Sequence, residues 1–95
     1  MPKNNDIIDV LKKQRQNKFQ SIEKDIINDI YIQCINTIKI YNENNITKCI
    51  YEIPCMLPNR PLYDTDDITQ KFINILKRKN FKATHISKNK IYIEW

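Results

Sequence analysis

Between Phe19 and Tyr41 the chain sets apolar residues at three- and four-residue steps: Phe19, Ile22, Ile26, Ile30, Cys34 (or Gln33), Ile38 and Tyr41. An α-helix turns once in about 3.6 residues, so this spacing gathers them on one face and calls for a helix. Ile27, Ile32, Ile35 and Ile40 widen that face. A helix of about 24 residues is about 36 Å long. The whole chain has 95 residues, and a chain this short buries only about 60–65% of its extended surface, in one modest core. The rest of the fold is then too small to cover the helix, and part of its apolar face is expected to meet another chain. Phe19, Ile22, Ile26, Ile30, Ile38 and Tyr41 are the candidate self-association residues, with a homodimer as the simplest closed assembly.

The segments on either side complete an α/β chain of the α+β kind. Residues 6–16, "DIIDVLKKQRQ", can form a short amphipathic helix through Ile7, Ile8 and Leu11, so residues 1–17 read as a short N-terminal helix or flexible arm. Residues 18–95 read as a single α+β domain. "YNENN", 41–45, ends the long helix with turn formers. "ITKCIYEI", 46–53, carries apolar residues in both phases of its alternation, which suits a central strand covered at least in part on each side. Pro54 stops it, having no N–H to give a ladder. A second helix starts near Thr65, capped by Asp64 or Thr65, with Asp66 and Asp67 at its positive end. Ile68, Phe72, Ile75 and Leu76 form its apolar face, and Asn80 fits the left-handed position after its end, returning Phe81 to Leu76. "FKATHIS" and "KIYIEW" flank Lys88-Asn89 as a hairpin, with Ile91, Ile93 and Trp95 on one face and Tyr92 and Glu94 on the other. The expected order is long helix, strand, Pro-rich loop, helix and C-terminal hairpin: α-β-α-β-β.

The Pro-rich loop has two competing uses. Pro54, Pro58 and Pro61 fix their own φ and restrain the residues before them, so the loop loses little entropy on ordering. In one use Leu57, Leu62 and Tyr63 plug the end of the core. In the other, Met56, Leu57, Arg60 and Tyr63 form a pre-ordered protein-docking edge, where Met, Arg and Tyr are favoured.

Reaction chemistry is poorly represented. With no glycine there is no phosphate-cradling loop, and His85 is the one histidine. Cys34, Cys49 and Cys55 have wide spacings and no CxxC, so neither a zinc site nor a disulfide framework is expected; reduced thiols in a reducing compartment are. Helix capping accounts for Asp64, Asp66 and Asp67 without a cation. The expectation is a non-enzymatic chain with no metal or cofactor. No run approaches 18 apolar residues, so neither secretion nor membrane insertion is expected. The net charge is +5, concentrated in the last third, where seven basic residues face Glu94 alone. A helix followed by a strand–turn–strand hairpin is also how a winged helix ends. The alternative function is therefore a basic winged-helix-like module making non-specific phosphate contacts through Lys77, Arg78, Lys79, Lys82, Lys88 and Lys90.

From Tyr51 onward the motifs Tyr51-Glu52-Ile53-Pro54, Pro61-Leu62-Tyr63-Asp64, a helix leading to Phe81, and a final Ile93-Glu94-Trp95 stand in order. In these the C-terminal half resembles small uncharacterised proteins of nucleo-cytoplasmic large DNA viruses of the mimivirus-like kind; Asn80 stands where those proteins usually have Gly. The resemblance implies a viral structural or protein-interaction module, virion-associated, whose partners are itself and another viral or virion protein. It places the chain in the virion or the host cytoplasm, and it supplies no catalytic residue.

Overall fold

The structure, a computed structural model, describes residues 4–95, with side chains described for residues 7–14 and 20–95. Helix α1 (Asn4–Glu43) is followed by strand β1 (Lys48–Glu52), helix α2 (Thr65–Arg78), and strands β2 (Lys82–Ser87) and β3 (Lys90–Glu94). This is the α+β order read from the sequence, with one difference in the helices. The short helix over 6–16 and the long helix beyond it are one uninterrupted α1 of 40 residues. Residues 12–18, "KKQRQNK", interrupt the apolar pattern but contain no proline or glycine, and Lys, Gln and Arg are good helix formers. The break in the apolar pattern does not end the helix.

The sheet has the order β1-β3-β2, with both pairings antiparallel. The connection through α2 carries the chain from β1 to β2 and leaves a gap that β3 fills. The centre of the sheet is therefore β3, and β1 is an edge strand, contrary to the central place expected for it. Its two apolar phases have different fates: Cys49 is buried, whereas Ile50 lies on the open face and is 62% exposed. Across that open face Lys48 and Lys82 flank Glu94, Ile50 and Thr84 flank Tyr92, and Glu52 stands opposite Lys90. Opposite charges thus meet across the strands, a favourable arrangement on a solvated face.

The covered face carries Cys49, Ala83, Ile91 and Ile93 and packs beneath both helices. From α1 come Ile26, Ile30, Cys34 and Ile38, one per turn; from α2 come Ile68, Phe72, Ile73 and Leu76. Ile75 is only partly buried, so α2 rolls slightly from the face its spacing suggested and Ile73 takes the inner place. Tyr31 meets Phe72 edge-on at 6.4 Å, and Tyr51 lies 6.3 Å from the same ring.

Both helices end in the same way. At α2, Phe81 N–H donates to Leu76 O (3.0 Å) and Asn80 N–H to Lys77 O (3.1 Å), with Asn80 at φ 71°. At α1, Ile46 N–H donates to Tyr41 O (2.9 Å) and Asn45 N–H to Asn42 O (3.0 Å), with Asn45 at φ 62°. These are paired Schellman closures, and asparagine takes the left-handed place usually held by glycine. The start of α2 is capped by the Asp64 carboxylate, which accepts from the N–H groups of Asp66 (3.0 Å) and Asp67 (3.2 Å).

Candidate functional site

The expected self-association face divides along the length of α1. Ile26, Ile30 and Ile38 are buried in the chain's own core, contrary to the wholly intermolecular role expected of them, while Ile22 is half-buried and, with Ile26, lines a cleft. The sheet and α2 together supply enough apolar surface to cover that half of the helix. Tyr41, at the far end, is exposed, and Phe19 lies outside the residues whose side chains are described. What the fold leaves uncovered is the other half. Every described side chain from residue 7 to 14 is exposed, including Ile7 (56%), Ile8, Val10 and Leu11 (51%). The helix runs about 27 Å from residue 4 to residue 21 before Ile22, a described side chain that the core partly covers. The molecule is accordingly elongated, 67 × 25 × 21 Å, with a radius of gyration of 17.4 Å; a compact chain of this length has one of about 12 Å. The sequence signal for this arm was the cluster Ile7, Ile8 and Leu11, set apart from the main stripe by seven polar residues.

The Pro-rich loop is pinned at several points. Asn89, in the hairpin turn, accepts from Ile53 N–H (2.8 Å) and donates from Nδ2 to Ile53 O (2.6 Å). Next, Leu57-Pro58-Asn59-Arg60 forms a turn in which Arg60 N–H donates to Leu57 O (3.3 Å), with proline second and a left-handed Asn59 (φ 61°) third. That turn drives Leu57 into the core, where it is 7% exposed, and throws Arg60 across to α1. Arg60 Nε donates to Asp29 Oδ2 at 2.8 Å, and Nη1 lies 3.6 Å from Asp25. The Asp29 hydrogen bond raises the already high pKa of the guanidinium. Tyr63 closes the loop by donating its hydroxyl to Pro54 O.

Of the expected docking residues, then, Leu57, Arg60 and Tyr63 are engaged inside the chain and only Met56 (65% exposed) faces outward. Leu62, expected to help plug the core, points the other way and is 79% exposed. It stands at the mouth of a cleft of ≈ 400 Å³ between α1 and the start of α2. Ile22, Ile26, Leu62 and Ile68 give that cleft its apolar floor and wall, and Glu23, Asp64 and Asp67 form its rim. Lys71 bridges Glu23 and Asp67, at 3.0 Å from the latter. Three carboxylates against one ammonium leave the rim negative.

The basic residues fall in two groups along the chain. Lys77, Arg78 and Lys79 end α2 and Lys82 begins β2, whereas Lys88 and Lys90 sit at the hairpin turn. The length of β2 separates the two groups by about 20 Å. Lys79 lies over the Tyr31 ring at 5.5 Å, and Lys82 approaches Glu94 at 3.7 Å. Glu94, hydrogen-bonded by Tyr92 and near Lys82 and Lys48, has its pKa held down.

The cysteines are free: Cys34 and Cys49 buried, Cys55 exposed. Burial, reinforced by Cys49, pushes the Cys34 thiol up to about 12, and burial raises Cys49 as well. Both remain protonated at neutral pH and are poor nucleophiles or metal ligands. Among the described residues no three His, Cys, Asp or Glu converge on a metal position, and no helix is long and apolar enough to cross a membrane.

These features define a small α+β protein whose first helix outruns its core as an exposed, half-apolar arm. The chain belongs to the family of unknown function DUF5759, whose model matches residues 6–77. The match begins within the arm and runs through α2, leaving the hairpin outside it. No curated protein and no solved structure matches the chain.

Proposed function

We propose that this chain is a non-catalytic protein-interaction module that pairs with a second copy through the exposed N-terminal part of α1. The observation that carries this reading is the arm itself. Ile7, Ile8, Val10 and Leu11 stand in solvent, and every described side chain from residue 7 to 14 is exposed, so none of them is packed within the chain. Most helical stability in proteins comes from packing an apolar face, and a free segment of this length is marginal. Pairing supplies the missing packing. The groups with chemical potential point the same way, since Asp64 caps α2, Arg60 ties the loop to α1, and Cys34 and Cys49 are buried thiols.

The resemblance of residues 51–95 extends this reading to a structural component of a large DNA virus, associated with the virion and with another virion protein. Free thiols fit a reducing compartment such as host cytoplasm. Light scattering of the full chain at low and high micromolar concentration tests the pairing: the mass should rise to a dimer's, and Leu11→Glu should return it to a monomer's. A monomer at high concentration refutes it.

A second reading is favoured by one observation. The solvent face of α2 offers Gln70, Asn74, Lys77 and Arg78 in sequence, residue types suited to nucleic-acid edges and phosphates, with a hairpin directly after it. In that reading the chain is a winged-helix-like module making non-specific phosphate contacts.

A further inference from the structure

We infer that the surface receiving the arm is the cleft between α1 and α2 of the second copy, so that two α1 helices run antiparallel and each arm seats in the other's cleft. This inference rests on the pairing proposed above and names its counter-surface. The argument begins with position along one helix. Ile8 and Ile26 lie about five full turns apart and Leu11 and Ile22 about three, so all four share one stripe of α1. Ile8 and Leu11 are the exposed part of that stripe, while Ile22 and Ile26 line the cleft.

An antiparallel two-fold passing near residue 17 then brings Ile8 of one copy to Ile26 of the other and Leu11 to Ile22, and makes the same two contacts again in reverse. Every arm and every cleft is filled, and the assembly closes at two. A parallel pairing joins arm to arm and leaves both clefts, with Leu62 at their mouths, in water.

Charge follows the same register. The arm holds Lys12, Lys13, Arg15 and Lys18 against Asp6 and Asp9, and is net positive. The cleft rim, Glu23, Asp64 and Asp67 against Lys71, is net negative. Lys12 and Glu23 lie on the same flank of the stripe, and in an antiparallel pair equal flanks face each other, so each Lys12 meets the partner's acidic rim. Leu62 completes the pocket. A leucine 79% exposed beside an apolar cleft gains little burial in one copy, and it becomes a wall for Ile8 and Leu11 in two.

Sedimentation equilibrium of the full chain, of Leu11→Glu and of Leu62→Glu tests this, with circular dichroism to verify that each variant is folded. Leu62 makes no demand on the fold, so its variant reports on association alone. Both substitutions should weaken the dimer at least about tenfold, as expected for apolar anchors at an interface. A dimer lost with Leu11→Glu but unchanged with Leu62→Glu overturns the cleft and leaves arm-to-arm pairing. A wild-type chain that stays monomeric overturns both.

Discussion

Three apolar side chains in one loop, Met56, Leu57 and Leu62, provide an internal comparison in which burial is the variable. Leu57 is 7% exposed among α1, the turn prolines and the core, whereas its two neighbours lie mostly in water. Leu57→Ala removes three carbons from a buried site, worth about 2.4 kcal/mol at about 0.8 kcal/mol each. A cavity adds to this in proportion to the volume left behind. Leu57 also borders a shallow groove against Asp29, Ile32, Gln33 and Pro58, where neighbours have room to settle, so the cavity contribution is small. The total is about 2–3 kcal/mol. For a domain of this size each kcal/mol shifts Tm by about 4–8 °C, so a fall of about 10–20 °C is expected. Met56→Ala and Leu62→Ala should each change stability by less than about 0.5 kcal/mol. Urea unfolding of the dilute chain checks all three, under conditions where association does not contribute. Equal losses for Leu57 and Leu62, or no loss for Leu57, would refute the account of the turn as the device that selects which leucine enters the core.

Other perturbations give equally direct readouts. Asn80→Ala and Asn45→Ala each place a Cβ without a compensating amide in the left-handed region and should cost about 1 kcal/mol in a thermal melt, while Asn→Gly at either position should be neutral or stabilising. The folded state holds the protons of Cys34 and Tyr51 more tightly than the unfolded chain, with both raised to about 12 from 9.0 and 10.0. Between about pH 9 and 12 the unfolded state therefore binds fewer protons, and stability must fall as pH rises, which denaturant titrations at stepped pH measure. In the native protein at pH 8 a thiol reagent should modify Cys55 alone, reaching Cys34 and Cys49 only at the rate of opening. If the winged-helix-like reading holds, duplex DNA is retarded at low salt, and replacing Lys77, Arg78, Lys82 and Lys88 with Gln abolishes the shift; no retardation excludes it.

Helix α2 was legible almost residue by residue, because its apolar spacing, its aspartate cap and its asparagine closure are all local. The hairpin was legible for the same reason: alternation from Ile91 to Trp95 sets the faces, and Lys88, at φ 44°, takes the tight turn. What local signals leave undetermined is pairing and depth. The alternation of β1 shows apolar residues in both phases, yet whether Ile50 is covered depends on which face of the sheet the two helices pack against. The reach of α1 is not legible in the apolar pattern, because residues 12–18 lack apolar side chains yet hold no proline or glycine and stay helical. For the candidate site, the sequence marked apolar residues on α1 but not which half the domain would consume; that depends on how much area the sheet and α2 bring to it. Leu57 and Leu62 are chemically identical, and only the turn at Pro58-Asn59 separates their directions.

Asparagine at the left-handed positions has a consequence on the other side of the folding equilibrium. An average composition, with about 7% glycine, would place six or seven glycines in a chain of this length; here there are none. Each glycine replaced by a residue with a Cβ, at a compatible site, removes about 0.4–1 kcal/mol of freedom from the disordered chain. Over the whole sequence this amounts to about 3–6 kcal/mol, present in no packed contact and offset only at the left-handed Asn45, Asn59, Asn80 and Lys88. The free length of α1 draws on the same source. Its coil state is already restricted at every residue, so a stretch of helix without a neighbour forfeits less entropy when it orders than a glycine-bearing arm of equal length would.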